Sequence, residues 1–513
     1  MNALFMTQAA GLKMFFGLMK ALQAPLRLER VGFYVADRSY FRQFSQSVPE
    51  IESGPYDLLK EWEIVGNAQN GDPDIELIRR YEVSLGNPNL WGALVADRNI
   101  YLGKRSSFFQ DYRPRFSHAQ MLNILQNTLV NMERWFDEVR PDFVASWICV
   151  TLGEYLAYLF ARSRGIPVLN LRPTRVGNYV TYGETIFEPS ARIRAAYERY
   201  SRDGVEDEWL DQARRYVSEA QSGDARYEGA PASAPGKRRR VTGVAHLAGA
   251  IVRTVRAEYR YRYGALKDNH APGIVVPVLF RRYLRPMRKR WHRRRLSSGY
   301  VTEEQLRDLD YVFFPLHKEP ENTMLVFSRP YLNQIEVIRN IGQSIPVGMT
   351  LVVKEHPVSV GVRPLSYYRK LLGIPNVRLA DPGLPAPLLI TNARLVASIA
   401  GSLGWESILR RKPLVIFGQT PYGFLPDTMV RRVTDLHQLG DVIAELLAGY
   451  EYQDDAVAAY VAATMSESAP VNLYSTLLGR DVHVPDQDSV DAPEAWRENI
   501  DRLARYTIKS LQS

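Results

Sequence analysis

Short apolar runs alternate with amphipathic stretches along most of the chain, and the pattern changes character three times. Residues 1–25 place Leu12, Phe15, Phe16, Met19 and Leu22 at helical spacing, interrupted by Lys13 and Lys20. This predicts an amphipathic helix over 1–27, packed on the domain behind it in preference to lying on a membrane surface. Val31 to Val35 reads as the first clear strand, and Trp91 to Val95 as a candidate second. Gln120 to Val139 carries Leu122, Leu125, Leu129, Met132 and Phe136 on one helical stripe, broken by Arg140-Pro141-Asp142. Phe143 to Cys149 then reads as a buried strand, Leu152 to Arg164 as a helix and Val168 to Leu171 as the next strand. That βαβ unit ends at Arg172, Thr174 and Arg175, and 28–200 reads as one Rossmann-like domain.

Residues 201–300 lose this alternation. Glu208 to Gln221 is helical in pattern, Ser222 to Lys237 is a Gly/Ala/Ser/Pro-rich loop, and Arg238 to Arg262 is basic and helical. The stretch predicts a helical basic insertion bridging two domains. From Tyr311 the alternation returns, with strands at Tyr311 to Leu316, Thr350 to Val353, Asn376 to Leu379, Leu395 to Ile399 and Pro413 to Phe417. Helices are predicted between them and at Val433 to Leu447 and Ala456 to Met465. Residues 301–485 therefore read as a second Rossmann-like domain, and 486–513 as a terminal amphipathic helix.

Composition narrows the class. At 513 residues the chain is too long for one ordinary core, and 46% hydrophobic with 24% charged residues is a globular balance. The single cysteine, Cys149, excludes an internal disulfide framework and suits a reducing compartment. No apolar run is long enough to span a bilayer, and the amino end lacks the basic region and cleavage site of a signal peptide. Much of the net charge of +9 sits in Arg281, Arg282, Arg285, Arg288, Lys289, Arg290, Arg293, Arg294 and Arg295, with Tyr283 and Trp291 between them. Such a run can bind anionic lipid, an acidic polymer or nucleic acid, or form a solvated helix face.

Candidate chemistry falls at strand ends. In parallel sheets ligands bind beyond the strands' carboxyl ends. Lys354-x-His356-Pro357 ends one strand and could contact a phosphate. Gly401-Ser402 opens a helix whose free N–H groups and hydroxyl could do the same, with an ordinary N-cap as the plainer alternative. Glu406, in the first turn, could hold a ribose diol or simply complement the helix dipole. His317, Glu319 and Glu321 follow another strand and offer an acid, base or nucleophile, against a polar interdomain loop. Three Asp-x-Asp pairs (Asp72/Asp74, Asp308/Asp310 and Asp486/Asp488) do not follow apolar strands, so no metal site is expected. There is no P-loop and no Gly-x-Gly-x-x-Gly after a strand.

Taken together, Phe314-Pro315-Leu316-His317-Lys318-Glu319-Pro320-Glu321, Val353-Lys354-Glu355-His356-Pro357, Ser398 to Glu406 and Lys412 to Gly418 resemble the bacterial capsular polysaccharide synthesis family. That family includes β-Kdo transferases, which use CMP-activated Kdo, a 2-keto sugar acid. The resemblance covers roughly residues 310–420; Arg140-Pro141-Asp142 through Val168 is also similar to the family's amino-terminal domain.

The resemblance implies a metal-independent GT-B glycosyltransferase: two Rossmann-like domains facing a cleft, acceptor on the first and donor nucleotide on the second. It implies phosphate contacts from Lys354 and His356, support from Ser402 and a ribose contact from Glu406. The catalytic carboxylate would lie after the His317 strand, at Glu321 with Glu319 as alternative; the family's transferases have Asp there, and Gln is common where His317 stands. No cofactor is implied beyond the nucleotide-sugar substrate, with CMP-Kdo among the implied donors. The expected partners are that donor, a glycan or lipid-linked acceptor and the inner face of the cytoplasmic membrane, with no nucleic acid. The expected location is cytoplasmic and peripheral. A UDP-sugar 2-epimerase on the same scaffold and a non-catalytic polyanion-binding protein are the rival readings.

Overall fold

Asn2–Thr7 is a strand, and it lies at the centre of the first sheet. The helix predicted over 1–27 is confined to Gly11–Gln23. Ala3, Leu4, Phe5 and Met6 are an unbroken apolar run buried on both faces, as central parallel strands are, and the helical spacing begins only after it. The computed structural model describes residues 1–68, 71–101, 116–223, 227–228, 249, 251–252, 255–256, 259, 284–356, 359–480 and 493–512. Arg281, Arg282 and Pro357 lie outside the described residues, as do most of the loop predicted from Ser222 and of the basic helix predicted from Arg238.

The strands in chain order are β1 (Asn2–Thr7), β2 (Arg30–Val35), β3 (Tyr56–Lys60), β4 (Phe143–Ser146), β5 (Val168–Pro173) and β6 (Tyr179–Gly183). They are followed by β7 (Tyr300–Val301), β8 (Tyr311–Pro315), β9 (Thr350–Lys354), β10 (Val377–Ala380), β11 (Leu395–Ser398), β12 (Leu414–Ile416), β13 (Val430–Arg432) and β14 (Ala469–Pro470). The first sheet runs β14-β6-β5-β4-β1-β2-β3, parallel from β5 to β3, with β6 and β14 antiparallel at one edge. The second runs β13-β12-β11-β8-β9-β10-β7 and is parallel throughout. The first order reverses direction about β1 and the second about β8, so the fold is α/β with two Rossmann-like domains, the GT-B arrangement.

Trp91–Ala96 is a helix, against the predicted strand. Short apolar runs fit either element, and this one is buried from Gly92 to Ala96, between helix Leu152–Ser163 and the π-helical turn Thr323–Phe327 of the second domain. One continuous apolar cluster joins the two domains there, containing Leu94, Leu156, Leu325 and Phe314. A Cβ on Gly92 would fall 2.6 Å from Arg329 Nη1, so the Arg329 guanidinium would have to shift to admit one.

The domains also exchange chain. Helices Ala191–Asp203 and Asp207–Ser222 pack on helix Asp454–Ser466 in the second domain's cluster. The chain then returns well before residue 485, the predicted end of the donor domain: Ala469 and Pro470 pair with Val180 and Tyr179. Helix Pro493–Gln512 packs on helix Gly11–Gln23, where Gly17 leaves room for the Trp496 indole. Tyr506 stacks on Tyr182 at 5.3 Å, and the Tyr182 hydroxyl shares a 2.8 Å hydrogen bond with Thr507. The terminal helix is thus core to the first domain. Leu503→Ala, at a side chain with 0% exposure, should cost about 2–5 kcal/mol in urea unfolding; a cost below about 0.5 kcal/mol, the scale of surface substitutions, would mean the helix is an appendage.

Candidate active site

In the second sheet the strand order reverses between β8 and β11, and the loops after β8, β9 and β11 converge there. The His317 ring bridges two of them. Its Nε2 accepts the Ala400 N–H at 3.2 Å and lies against the Ala400 carbonyl oxygen. Burial lowers the His317 pKa to about 4, against the raising effect of the Ala400 hydrogen bond, so the ring is neutral near pH 7. His317 therefore fastens the β8 loop to the β11 loop.

Arg363 ties the β8 loop to the β9 loop. Its side chain is 1% exposed; it pairs with Glu355 and, at 3.2 Å, with Glu319, and it donates to the His317 carbonyl at 2.6 Å. Glu355 also accepts from Tyr368 Oη at 2.6 Å and from the His356 N–H at 2.7 Å. Burial opposes the Arg363 charge, but Glu355, Tyr367 and Glu319 outweigh it and hold the guanidinium above its ordinary pKa. Gln334 completes the knot, accepting from the His317 N–H at 2.8 Å and donating to the His317 carbonyl and to Glu319. Glu319, a candidate catalytic carboxylate on sequence, is thus a buried ion-pair member with 2% side-chain exposure. Sequence spacing cannot see this, because its partner lies beyond the next strand.

The cleft between the domains holds a pocket of about 470 Å³ of empty space, open solvent included. Arg172, Arg175 and Glu188 line it from the first domain, and Thr323, Gly401 and Gln419 from the second. Arg172 and Glu188 form a buried ion pair at 3.2 Å. Arg175 lies over the Tyr227 ring at 5.3 Å. Burial lowers the Arg175 pKa, but Tyr474, Tyr227, Glu321 and Glu188 outweigh it and keep the cation fully charged. Glu321 is thus a carboxylate of the β8 loop whose charge reaches Arg175 in the other domain.

Gly401, at φ +104°, is the N-cap of helix Ser402–Leu409, and no side chain caps it. Ser402 is therefore the first helical residue and not the cap; its hydroxyl accepts from Tyr227 Oη at 3.1 Å. The leading N–H groups carry the positive end of the helix dipole and lie beside a pocket lined by Arg175, a ready anion site. Tyr422 supports the turn from below, donating to the Gly401 carbonyl at 2.5 Å. Gln419 Oε1, buried at the same pocket, has no hydrogen-bond partner among the described residues.

The other predicted residues spread around this centre. Lys354 is 5% exposed, with its pKa lowered by burial. His356 is half-buried, and burial together with Lys318, His317, Arg363 and Lys354 lowers its pKa to about 4. Glu406 is half-exposed, its charge felt by Tyr216 and Tyr422. In the first domain Asp97 accepts the Asn99 and Leu152 N–H groups, and Glu154 caps helix Leu152–Ser163. Sequence reasoning marked Arg175 only as a strand end, and missed Arg363 and Gln419 altogether. The one legible signal for Arg363 was that two carboxylates at adjacent strand ends need a cation if both are buried.

Residues 287–428 match the family of capsule polysaccharide biosynthesis proteins. The match is confined to this segment. It runs from the basic helix to just before β13, and holds the loops of Glu321, His356 and Ser402. The capsule-synthesis segment excludes the first domain and therefore Arg172, Arg175 and Glu188. Among solved structures, the chain is similar to the β-Kdo 2,4 transferase of Thermosulfurimonas dismutans KpsC (14% identity, 63% of this chain and 79% of that one, TM-score 0.34). It is also similar to the β-Kdo 2,7 transferase of the same protein (10%, 61% and 78%, TM-score 0.31). A third similar structure is the UDP-GlcNAc 2-epimerase of Neisseria meningitidis (11%, 100% of both chains, TM-score 0.27). No curated protein matches by sequence.

Two tests address the knot. Arg363→Ala leaves Glu319 and Glu355 buried without their cation and should cost about 3–5 kcal/mol in urea unfolding; a cost below about 1 kcal/mol contradicts the buried pairing. His317 and His356 both hold folded pKa values of about 4 against an ordinary 6.5, so the unfolded chain takes the proton first as pH falls. Their contribution is complete above about pH 6.5 and is lost between there and pH 4. The thermal midpoint should drop through that window, less steeply in His317→Gln than in the parent protein. Equal slopes would show that His317 titrates normally.

Proposed function

We propose that this protein is a GT-B glycosyltransferase of surface polysaccharide assembly. It moves a sugar from a nucleotide donor to a glycan or glycolipid acceptor, and Kdo or a related 2-keto sugar acid carried by CMP is the donor that best suits the site. The observation that carries the reading is the capsule-synthesis match over 287–428, which contains the loops that converge at the switch point and the uncapped helix at Ser402.

The donor phosphate would rest on the first N–H groups of helix Ser402–Leu409, with His356 and Lys354 behind it and Arg175 opposite. These positive groups would stabilise the charge that builds as the bond from sugar to phosphate breaks. The acceptor hydroxyl attacks the anomeric carbon, the nucleotide leaves with the bonding electrons, and Glu321 takes the hydroxyl proton. A 2-keto sugar acid also carries a carboxylate on the reacting carbon, and Arg175 at the pocket would supply a cation to it. With fixed cations and a helix dipole at the phosphate, transfer needs no divalent metal, and EDTA should leave the rate unchanged. An enclosed cleft limits loss of donor to water.

A thermal-shift panel of CMP, UDP and GDP tests the donor class: stabilisation by CMP above the others supports the sugar-acid donor, and preference for UDP or GDP removes it. Glu321→Gln keeps shape while losing charge. It should retain nucleotide binding and lower turnover by at least about 10²-fold in an acceptor assay. Near-normal turnover moves the base elsewhere.

A further inference from the structure

On sequence the basic segment is a candidate anionic-surface contact or a solvated helix face, and the structure divides its described cations. On helix Arg285–Leu296 one face is bound to the second domain. Arg285 Nε donates to the Val360 carbonyl at 3.0 Å, and Arg288 Nη2 donates to the carbonyls of Val362 and Arg363 at 3.1 and 3.0 Å. His292 and Leu296 are buried on the same face, and Arg293 pairs with Asp381 at 3.1 Å. Gly361, at φ +80°, lets the helix in: a Cβ there would lie 3.0 Å from the Arg285 carbonyl oxygen. Arg285, Arg288 and Arg293 are therefore engaged by the protein itself.

The opposite face carries something the sequence reading did not separate from the charge. Leu284, Met287 and Trp291 are 54%, 66% and 47% exposed. Spacings of three and four residues put them on one stripe. By the same 100° step, Arg290 and Arg294 border the stripe on one side and Arg295 on the other. All three are exposed and form no ion pair with a described residue. Among the described residues no helix is long and apolar enough to cross a membrane.

We infer that this face docks the protein on an anionic bilayer surface, with Leu284, Met287 and Trp291 at the boundary of headgroups and acyl chains and Arg290, Arg294 and Arg295 on lipid phosphates. A tryptophan beside aliphatic side chains, flanked by arginines, fits that boundary, where the indole is favoured and the cations reach the phosphates. A purely electrostatic partner such as a nucleic acid would leave the apolar stripe in water. The anchorage is rigid on its inner side, since the carbonyls holding the helix belong to the loop whose Arg363 braces the cleft. Docking does not depend on the transfer reading, and the two can fail separately.

The test is flotation of the full chain with vesicles of phosphatidylcholine alone, or with about a third phosphatidylglycerol, across a salt series. Wild type should float with the anionic vesicles only, less so as salt screens the arginines. M287S/W291S and R290E/R294E should each lower partitioning by at least about tenfold, on the order of fivefold per charge for the second. Both pairs are exposed, so thermal midpoints and nucleotide-induced shifts should match wild type. Absence of flotation, equal flotation on neutral vesicles, or variants that float like wild type overturns the proposal. So does a concentration-dependent dimer that M287S/W291S abolishes, which would assign the stripe to a second copy of the chain.

Discussion

Arg363 is a full charge, 1% exposed, between two carboxylates that come from the ends of different strands. Each carboxylate alone would be costly to bury, and so would the guanidinium. Together they fix three things: the path of the β8 loop through Glu319 and the His317 carbonyl, the path of the β9 loop through Glu355, and the seat of the basic helix, whose Arg288 grips the Arg363 carbonyl. His317 extends the same brace to the β11 loop. The converging loops at the switch point are therefore one electrostatic unit. Removing any member leaves a buried partner unpaired, which costs more than the pair contributes over an apolar substitute.

Much of the second domain was legible in the sequence. Strands β8, β9, β11 and β12 are buried on both faces, so each appears as a continuous apolar run stopped by a turn, which is a strong signal. The residues just beyond those runs, His317, His356 and Gly401, fell where the topology demanded. The first domain was harder. The apolar run at β1 merged with the helical spacing that follows it, and the run at Trp91 had the length of a strand but folds as a helix buried from Gly92 onward.

What no local pattern could reveal was contact between distant parts of the chain. The pocket needs Arg175 opposite Gly401, and these belong to different domains. The terminal helix reads correctly as amphipathic, but its partner is the helix at Gly11–Gln23, at the other end of the chain. Such crossings follow from chain exchange between domains, which periodicity does not encode. They also bind the two domains through three links: helices Ala191–Asp203 and Asp207–Ser222 on the second, β14 and the terminal helix on the first, and the shared apolar cluster at Leu94 and Leu325.

The two carboxylates of the β8 loop show how fold and chemistry divide a short segment. Glu319 and Glu321 are identical in type and two residues apart, and sequence alone gave no physical reason to rank them. Burial does. Glu319 already neutralises Arg363 and accepts from Gln334, so taking up a proton there would undo the brace on which the loop depends. Glu321 is half-exposed, and one cation its charge supports, Arg175, belongs to the opposite domain. A proton arriving at Glu321 weakens an interaction across the cleft while leaving the second domain's internal pairing whole. Of the two positions, only Glu321 can change charge without breaking the buried pairing of Arg363.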